Sequence, residues 1–170
     1  KVTRGGQIPA YALTPPGTAG FTPTAGLRYD TEEARRLMAE AGYPEGRGFP
    51  KVDILYNTAD SNRQIAEALQ QMWKTALGIE VGLFNQEWKV FLNTKKKQDY
   101  DISRMRWIGD YPDPNTFLDM YVTGGGNNNT GWSNHEYDGL IEKASRTSAR
   151  EERYKYFQRC EDILAKEVPI

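Results

Sequence analysis

Between Val52 and Ile108 the chain switches repeatedly between a two-residue and a three-to-four-residue hydrophobic period, and that alternation leaves few folds open to it. Val52, Ile54 and Tyr56 alternate with Asp53, Leu55 and Asn57, which predicts a short strand ending in the polar turn Asn57-Thr58-Ala59-Asp60. Ser61 is positioned to cap a helix whose apolar positions Ile65, Ala68, Leu69, Met72, Trp73, Ala76 and Leu77 recur at three and four, and Gly78 should stop it. Ile79, Val81 and Leu83 predict a second strand. Gln86-Glu87 opens a short helix with Trp88, Phe91 and Leu92 inward, and Asp101 to Ile108 reads as a third strand. Strand, helix, strand, helix, strand is the pattern of an α/β layer with right-handed crossovers.

Helices flank this layer. Asp30-Thr31-Glu32-Glu33 has the form of a helix cap before Ala34, Leu37, Met38 and Ala41, with Gly42 and Pro44 marking the stop. After the layer, Phe117 to Tyr121 fit one or two helical turns, and 124–129 is a Gly/Asn loop able to bond its own chain. Helices are expected over about 135–147, with Tyr137, Leu140, Ile141 and Ala144 inward, and about 150–166, with Tyr154, Phe157, Cys160, Ile163 and Leu164 inward. Residues 1–28 hold Pro9, Pro15, Pro16 and Pro23 among several glycines, which predicts an extended wrapping segment. The chain opens in that loop and stops at Val168-Pro169-Ile170, where a strand could begin, so 1–170 reads as a single incomplete domain.

Charge and composition exclude several functions. The 22 basic and 23 acidic side chains give a net charge of −1, and the densest basic run, Lys95-Lys96-Lys97, reads as a solvated helix end, so a nucleic-acid partner is not expected. No stretch reaches the roughly 18 apolar residues of a membrane span, and KVTRGGQIPAY lacks the apolar core of a leader. Either the protein is cytosolic or the chain starts after a leader or within a larger protein. Cys160 falls on an apolar helix stripe as a packed thiol, and His135 is the sole histidine, so neither a metal, a cofactor nor a Ser/His triad is expected.

The stretch RMRWIGDYPDPNTF (104–117) carries the chemistry. Ligands of open α/β sheets bind beyond the carboxyl ends of the strands, which is where Asp110 is expected. Asp110 is either a turn acid accepting backbone N–H groups or a carboxylate ready for a ligand's cation. Arg104 is either its internal ion-pair partner or the opposite pole for a zwitterion, and Arg106 could be a surface residue. Trp88 and Trp107 could line an apolar pocket or belong to the core. Asp110 and Asp113 could also be set as the carboxylate pair of a carbohydrate-cleaving enzyme, but nothing in the loop predicts the roughly 5 Å or 6.5–9.5 Å separation this requires.

The segments GGQIPAY (5–11), ILYNT (54–58), NQEW (85–88), YDISRMRWIGDYPDPNTFLD (100–119), NNNTGW (127–132) and EYDGLI (136–141) resemble the peptide-binding family of extracytoplasmic solute-binding proteins, in particular its oligopeptide-binding members that serve ABC importers. The resemblance implies one lobe of a type II periplasmic binding protein, a mixed sheet flanked by helices, comprising most of the C-terminal ligand-binding lobe. It implies a non-catalytic binder, periplasmic or at the cell surface, whose leader is not in this chain and which captures oligopeptides and delivers them to a membrane permease; the fragment itself is expected to be monomeric. By position, Asp110 matches an aspartate that holds the peptide's α-ammonium. Trp107 and the backbone of Arg106 and Ile108 match the strand along which the peptide lies, and Trp88 a side-chain-pocket wall. Arg104 matches an arginine that can meet the carboxylate of a short peptide. Lys95 stands where some members have a second arginine, and Asn62 where some have a histidine serving longer peptides; these departures leave the preferred length open. Within the same fold, a dipeptide, a sugar or a metal chelate would be the alternative solutes.

Overall fold

A computed structural model of the chain describes residues 5–170, so the first four residues of the expected wrapping segment lie outside the described residues. Two compact units emerge, one built from 29–106 with residues 5–7, the other from 8–28 and 107–170.

The first unit is the α/β layer. Helix α1 (Thr31–Glu40) begins where the polar cluster predicts, with the Asp30 carboxylate accepting the Glu32 and Glu33 amides at 3.0 Å each. Strand β1 (Val52–Asn57) leads into α2 (Asp60–Leu77), then β2 (Val81–Gln86), α3 (Trp88–Lys96) and β3 (Ile102–Ser103). Gly78 ends α2 in the left-handed conformation, φ 72°, as its place after Leu77 predicts. Ser61 does not cap α2: the helix starts one residue earlier, and Ala59 at the cap supplies no side-chain acceptor.

The sheet has the order β2-β1-β3 with both pairings parallel. It is parallel rather than mixed among the described residues because each connection runs through a helix, and such a crossover returns the chain in the same direction. Ile54, Tyr56, Ala66, Ile79 and Val81 form the core, with Leu69, Trp73 and Leu77 of α2 packed on it. Leu55, 1% exposed, points to the other face, so the central strand is covered on both sides. Leu92 and Trp88, expected inward, are about half exposed; Phe91 alone carries the buried face of α3's apolar trio.

The third strand is shorter than its pattern. Only Ile102 and Ser103 pair with β1, and one further bond, from the Arg104 amide to Leu55 O at 2.8 Å, extends the contact. Alternation in 104–108 is a local signal, whereas a ladder needs the chain to stay beside its partner; the pairing stops at Leu55 and Ser103, two residues before β1 itself ends at Asn57.

The second unit is helical: α4 (Asn115–Leu118), a 3₁₀ turn (Asp119–Tyr121), α5 (His135–Arg146) and α6 (Arg150–Glu167). Its core joins Phe21, Leu118, Met120, Tyr121, Tyr137, Ile141, Ala144, Phe157, Cys160, Ile163 and Leu164. Cys160 is fully buried, and burial pushes its thiol up to about 12, the behaviour of a packed thiol and not of a nucleophile. Residues 8–28 are almost free of regular structure and lie along α6. Phe21 packs edge-on against Tyr154 and Phe157, Gln158 takes the Thr24 amide at 2.9 Å, and Glu161 takes the amides of Leu13 and Thr14 at 3.1 and 2.8 Å. Asn128 secures the Asn-rich loop with its own chain, donating to Tyr121 O, Val122 O and Trp132 O. Among the described residues no helix is long and apolar enough to cross a membrane.

Candidate functional site

In a parallel sheet all strands end at the same edge, and four of the eight sequence-selected residues follow those ends directly. Asn62 lies in the first turn of α2, Trp88 opens α3, and Arg104 and Arg106 follow β3. The same edge holds two buried polar atoms, Gln86 Oε1 and Ser103 Oγ, that have no hydrogen-bond partner among the described residues. Asn62 is buried and its amide already donates to Asn57 O and Oδ1 at 3.0 and 2.9 Å, so its nitrogen holds the turn between β1 and α2. Trp88 stands half exposed, its ring stacked on Phe91 at 5.7 Å.

Three of the unit's cations, Lys95, Arg104 and Arg106, lie in or beside the selected set, whereas Arg36, Arg63 and Lys74 are spent in ion pairs. Arg104 is half-buried, and desolvation first, then the charge of Arg106, lowers its pKa, although a guanidinium stays charged at neutral pH. Lys95 overturns its reading as a solvated helix end. It lies in the last turn of α3, is only 7% exposed, and rests its ammonium 5.6 Å from the Phe91 ring centre, while Lys96 and Lys97 beside it are exposed. Burial lowers its pKa. Neither Lys95, Arg104 nor Arg106 has an ion-pair partner among the described residues, so this unit presents positive charge with unused donors.

The second unit carries the acid and its loop. Trp107 packs against the helical core, with its indole Nε1 buried and unpartnered among the described residues, and Ile108 is 73% exposed. The Asp110 side chain accepts no backbone N–H, as a turn acid would, and forms no ion pair among the described residues. Its amide, however, is fixed by a 3.0 Å bond to Thr116 Oγ1. Beside it Asp119 accepts from Asn115 Nδ2 at 3.0 Å and from the Tyr111 hydroxyl at 3.4 Å. Burial raises the Asp119 pKa and the negative charge of Asp110 adds to the rise, so these two acids lie together with no cation paired to either among the described residues.

Asp113 is engaged elsewhere. Arg153 grips both its oxygens, one at 2.9 Å, and Asp113 Oδ1 also takes the Asn115 amide at 2.9 Å. A carboxylate so held is a brace for the loop and not a free general acid. Replacing Asp113 with alanine is accordingly expected to destabilise the fold by about 1–2 kcal/mol in urea denaturation, as loss of a largely buried bidentate pair would, without removing ligand binding.

Sequence reasoning missed Thr116, Asp119 and Glu161. Glu161 left a trace: it follows Phe157 by four residues on the buried stripe of α6, where a carboxylate must have partners.

The chain matches the model of a family described as bacterial extracellular solute-binding proteins, family 5 Middle, over residues 1–129. It is 36% identical to the oligopeptide-binding protein OppA of Bacillus subtilis, over 99% of this chain and 32% of that protein. It superposes on the unliganded open form of MppA, a periplasmic murein tripeptide binding protein, with a TM-score of 0.92 and 35% identity, covering 99% of this chain and 34% of that one. It superposes on Haemophilus influenzae OppA in complex with RPPGFSPFR with a TM-score of 0.84 and 32% identity, covering 98% of this chain and 34% of that one. The chain thus spans about a third of the length of the relatives it matches.

Proposed function

The chain belongs to the family 5 bacterial extracellular solute-binding proteins, with the fold of the type II periplasmic binding proteins, and from that premise we propose that it is a peptide-binding part of an ABC-importer binding protein. The observation that carries the proposal is Asp110, a carboxylate without a cation partner among the described residues, its amide braced by Thr116 and with the Asp119 carboxyl beside it. Such a group is suited to a ligand that always brings a positive end, as the α-ammonium of a peptide does. Trp107 and the backbone of Arg106 and Ile108 offer the surface along which the peptide main chain lies, a mode that gives affinity without reading side chains. Trp88 forms the wall of a side-chain pocket. Arg104 and Lys95 take the carboxylate of a short peptide, with Asn62 near the longer ones.

In this reading the protein works outside the cytoplasm, catalyses no reaction and hands its peptide to a membrane permease; the family's membership of solute-binding proteins supports this. Mass spectrometry of small molecules released by denaturing the purified full-length gene product tests it. Peptides are the expected release, and a sugar, a bile acid or a metal chelate in their place would overturn the reading.

Lys95 gives a second test with a sign that a plain core role would not produce. Because burial lowers its pKa, the charged side chain weighs against the fold at neutral pH, and that cost disappears only as pH rises through the lowered pKa toward the ordinary lysine value. Lys95→Met is therefore expected to be as stable as the native protein or more stable by about 1 kcal/mol, while binding short peptides more weakly. Paired denaturation and titration measurements check both halves.

A further inference from the structure

We infer that Thr116 is a positioning residue for the ligand's amino end: its hydroxyl oxygen, by accepting the Asp110 amide, sets where the Asp110 carboxylate stands. The inference rests on the reading of Asp110 as the ammonium partner and adds to it the residue that makes that partner rigid.

Asp110 is exposed and no group among the described residues holds its side chain, so its position depends on its backbone. A carboxylate on a free loop would have to be ordered at the moment of binding, and that cost would be subtracted from the contact. The backbone is not free. The Asp110 amide donates to Thr116 Oγ1 at 3.0 Å, and Thr116 is 2% exposed on α4. Behind it the helix is anchored: the Thr116 amide bonds Asp113 O at 3.2 Å, and Leu118, fully buried, receives the Tyr137 hydroxyl on its carbonyl at 2.6 Å. A continuous chain of hydrogen bonds and packed groups therefore runs from the core, through α4, to the amide of Asp110.

Gly109 makes the bond geometrically possible. A Cβ placed there would lie 2.9 Å from Thr116 Cγ2 and 3.1 Å from the Phe117 ring, closer than side-chain carbons approach, so only glycine lets this segment come near enough to α4. Gly109 and Thr116 are two halves of one device, and its product is the placement of the residue between them.

Calorimetric titration of the full-length gene product with trialanine, in a cycle with Asp110→Asn, tests the inference. Thr116→Val keeps the volume and removes the acceptor; affinity should fall roughly fivefold to tenfold, the range for one lost hydrogen bond. Thr116→Ser should restore it, and in the Asp110→Asn background Thr116→Val should change nothing further. Gly109→Ala reaches the same bond from the other side and should weaken binding similarly, which keeps the test alive if the valine variant folds poorly. If Asp110→Asn itself leaves trialanine binding unchanged, the ammonium reading fails and this inference fails with it. If Asp110→Asn weakens binding but Thr116→Val does not, or weakens it equally in both backgrounds, the positioning role is overturned and the ammonium reading stands.

Discussion

Asp110→Asn is expected to weaken the binding of peptides with a free amino end by about 100-fold, roughly 3 kcal/mol, in the full-length gene product. The substitution preserves shape and one acceptor oxygen, so what it removes is the charge. The structure indicates why that charge carries so much. No lysine, arginine or histidine pairs with Asp110 among the described residues, so the native protein spends none of its attraction internally. Asp119 adds to the local negative character. Its carboxyl is raised above its ordinary range by burial and by the Asp110 charge, and losing that charge should let Asp119 ionise at lower pH. An NMR titration of Asp119 in the variant would record that shift independently of any ligand. Affinity for free-amine peptides within threefold of the native value would remove Asp110 from the site.

The second large effect concerns the fold. Glu161→Ala is expected to destabilise the chain by about 3–5 kcal/mol, because the amides of Leu13 and Thr14 lose their acceptor and a buried volume empties. Urea denaturation measures the loss, and hydrogen exchange at those two amides should accelerate. Glu161→Gln keeps one acceptor oxygen and should cost less. The pH dependence has a definite sign. Burial raises the Glu161 pKa against the opposing pull of the Thr14 and Leu13 hydrogen bonds, so the folded state holds this proton more tightly than the unfolded one. The contribution of that proton to stability is complete below the unfolded carboxylate range and is lost as pH rises through the folded pKa. The gap between the native protein and the non-titrating glutamine variant should therefore narrow as pH is raised. A Glu161→Ala protein within 0.5 kcal/mol or so of native stability would show that Phe21's aromatic contacts and bonds such as Thr24 to Gln158 hold 8–28 to α6 without it.

Helix boundaries were legible where their signals are local. Asp30 caps α1 and Gly78 terminates α2 because each acts on backbone groups within a few residues of itself. The extent of β3 was not legible, since pairing depends on the chain staying beside β1, which it leaves after Ser103 although β1 runs on to Asn57, and not on the alternation of 104–108. Lys95 was misread for a related reason. In a run of three lysines each looks equally solvated, and only the rotation of α3 onto the sheet selects one of them for burial. Asp110 was found in the sequence through its place after a strand and a family likeness, but what fixes it was invisible. Thr116 lies six residues away across a loop, and its role depends on an approach at Gly109 that no periodicity encodes. Asp113, one half of the carboxylate pair considered from sequence, is separated from Asp110 in role by Arg153, forty positions further along the chain.

If Asp110 meets a peptide's ammonium group, titration calorimetry of the native full-length gene product will separate trialanine from N-acetyl-trialanine. Acetylation removes the positive charge and leaves the remaining main chain intact. The acetylated peptide should bind at least tenfold more weakly. Equal affinity for the two peptides would contradict it.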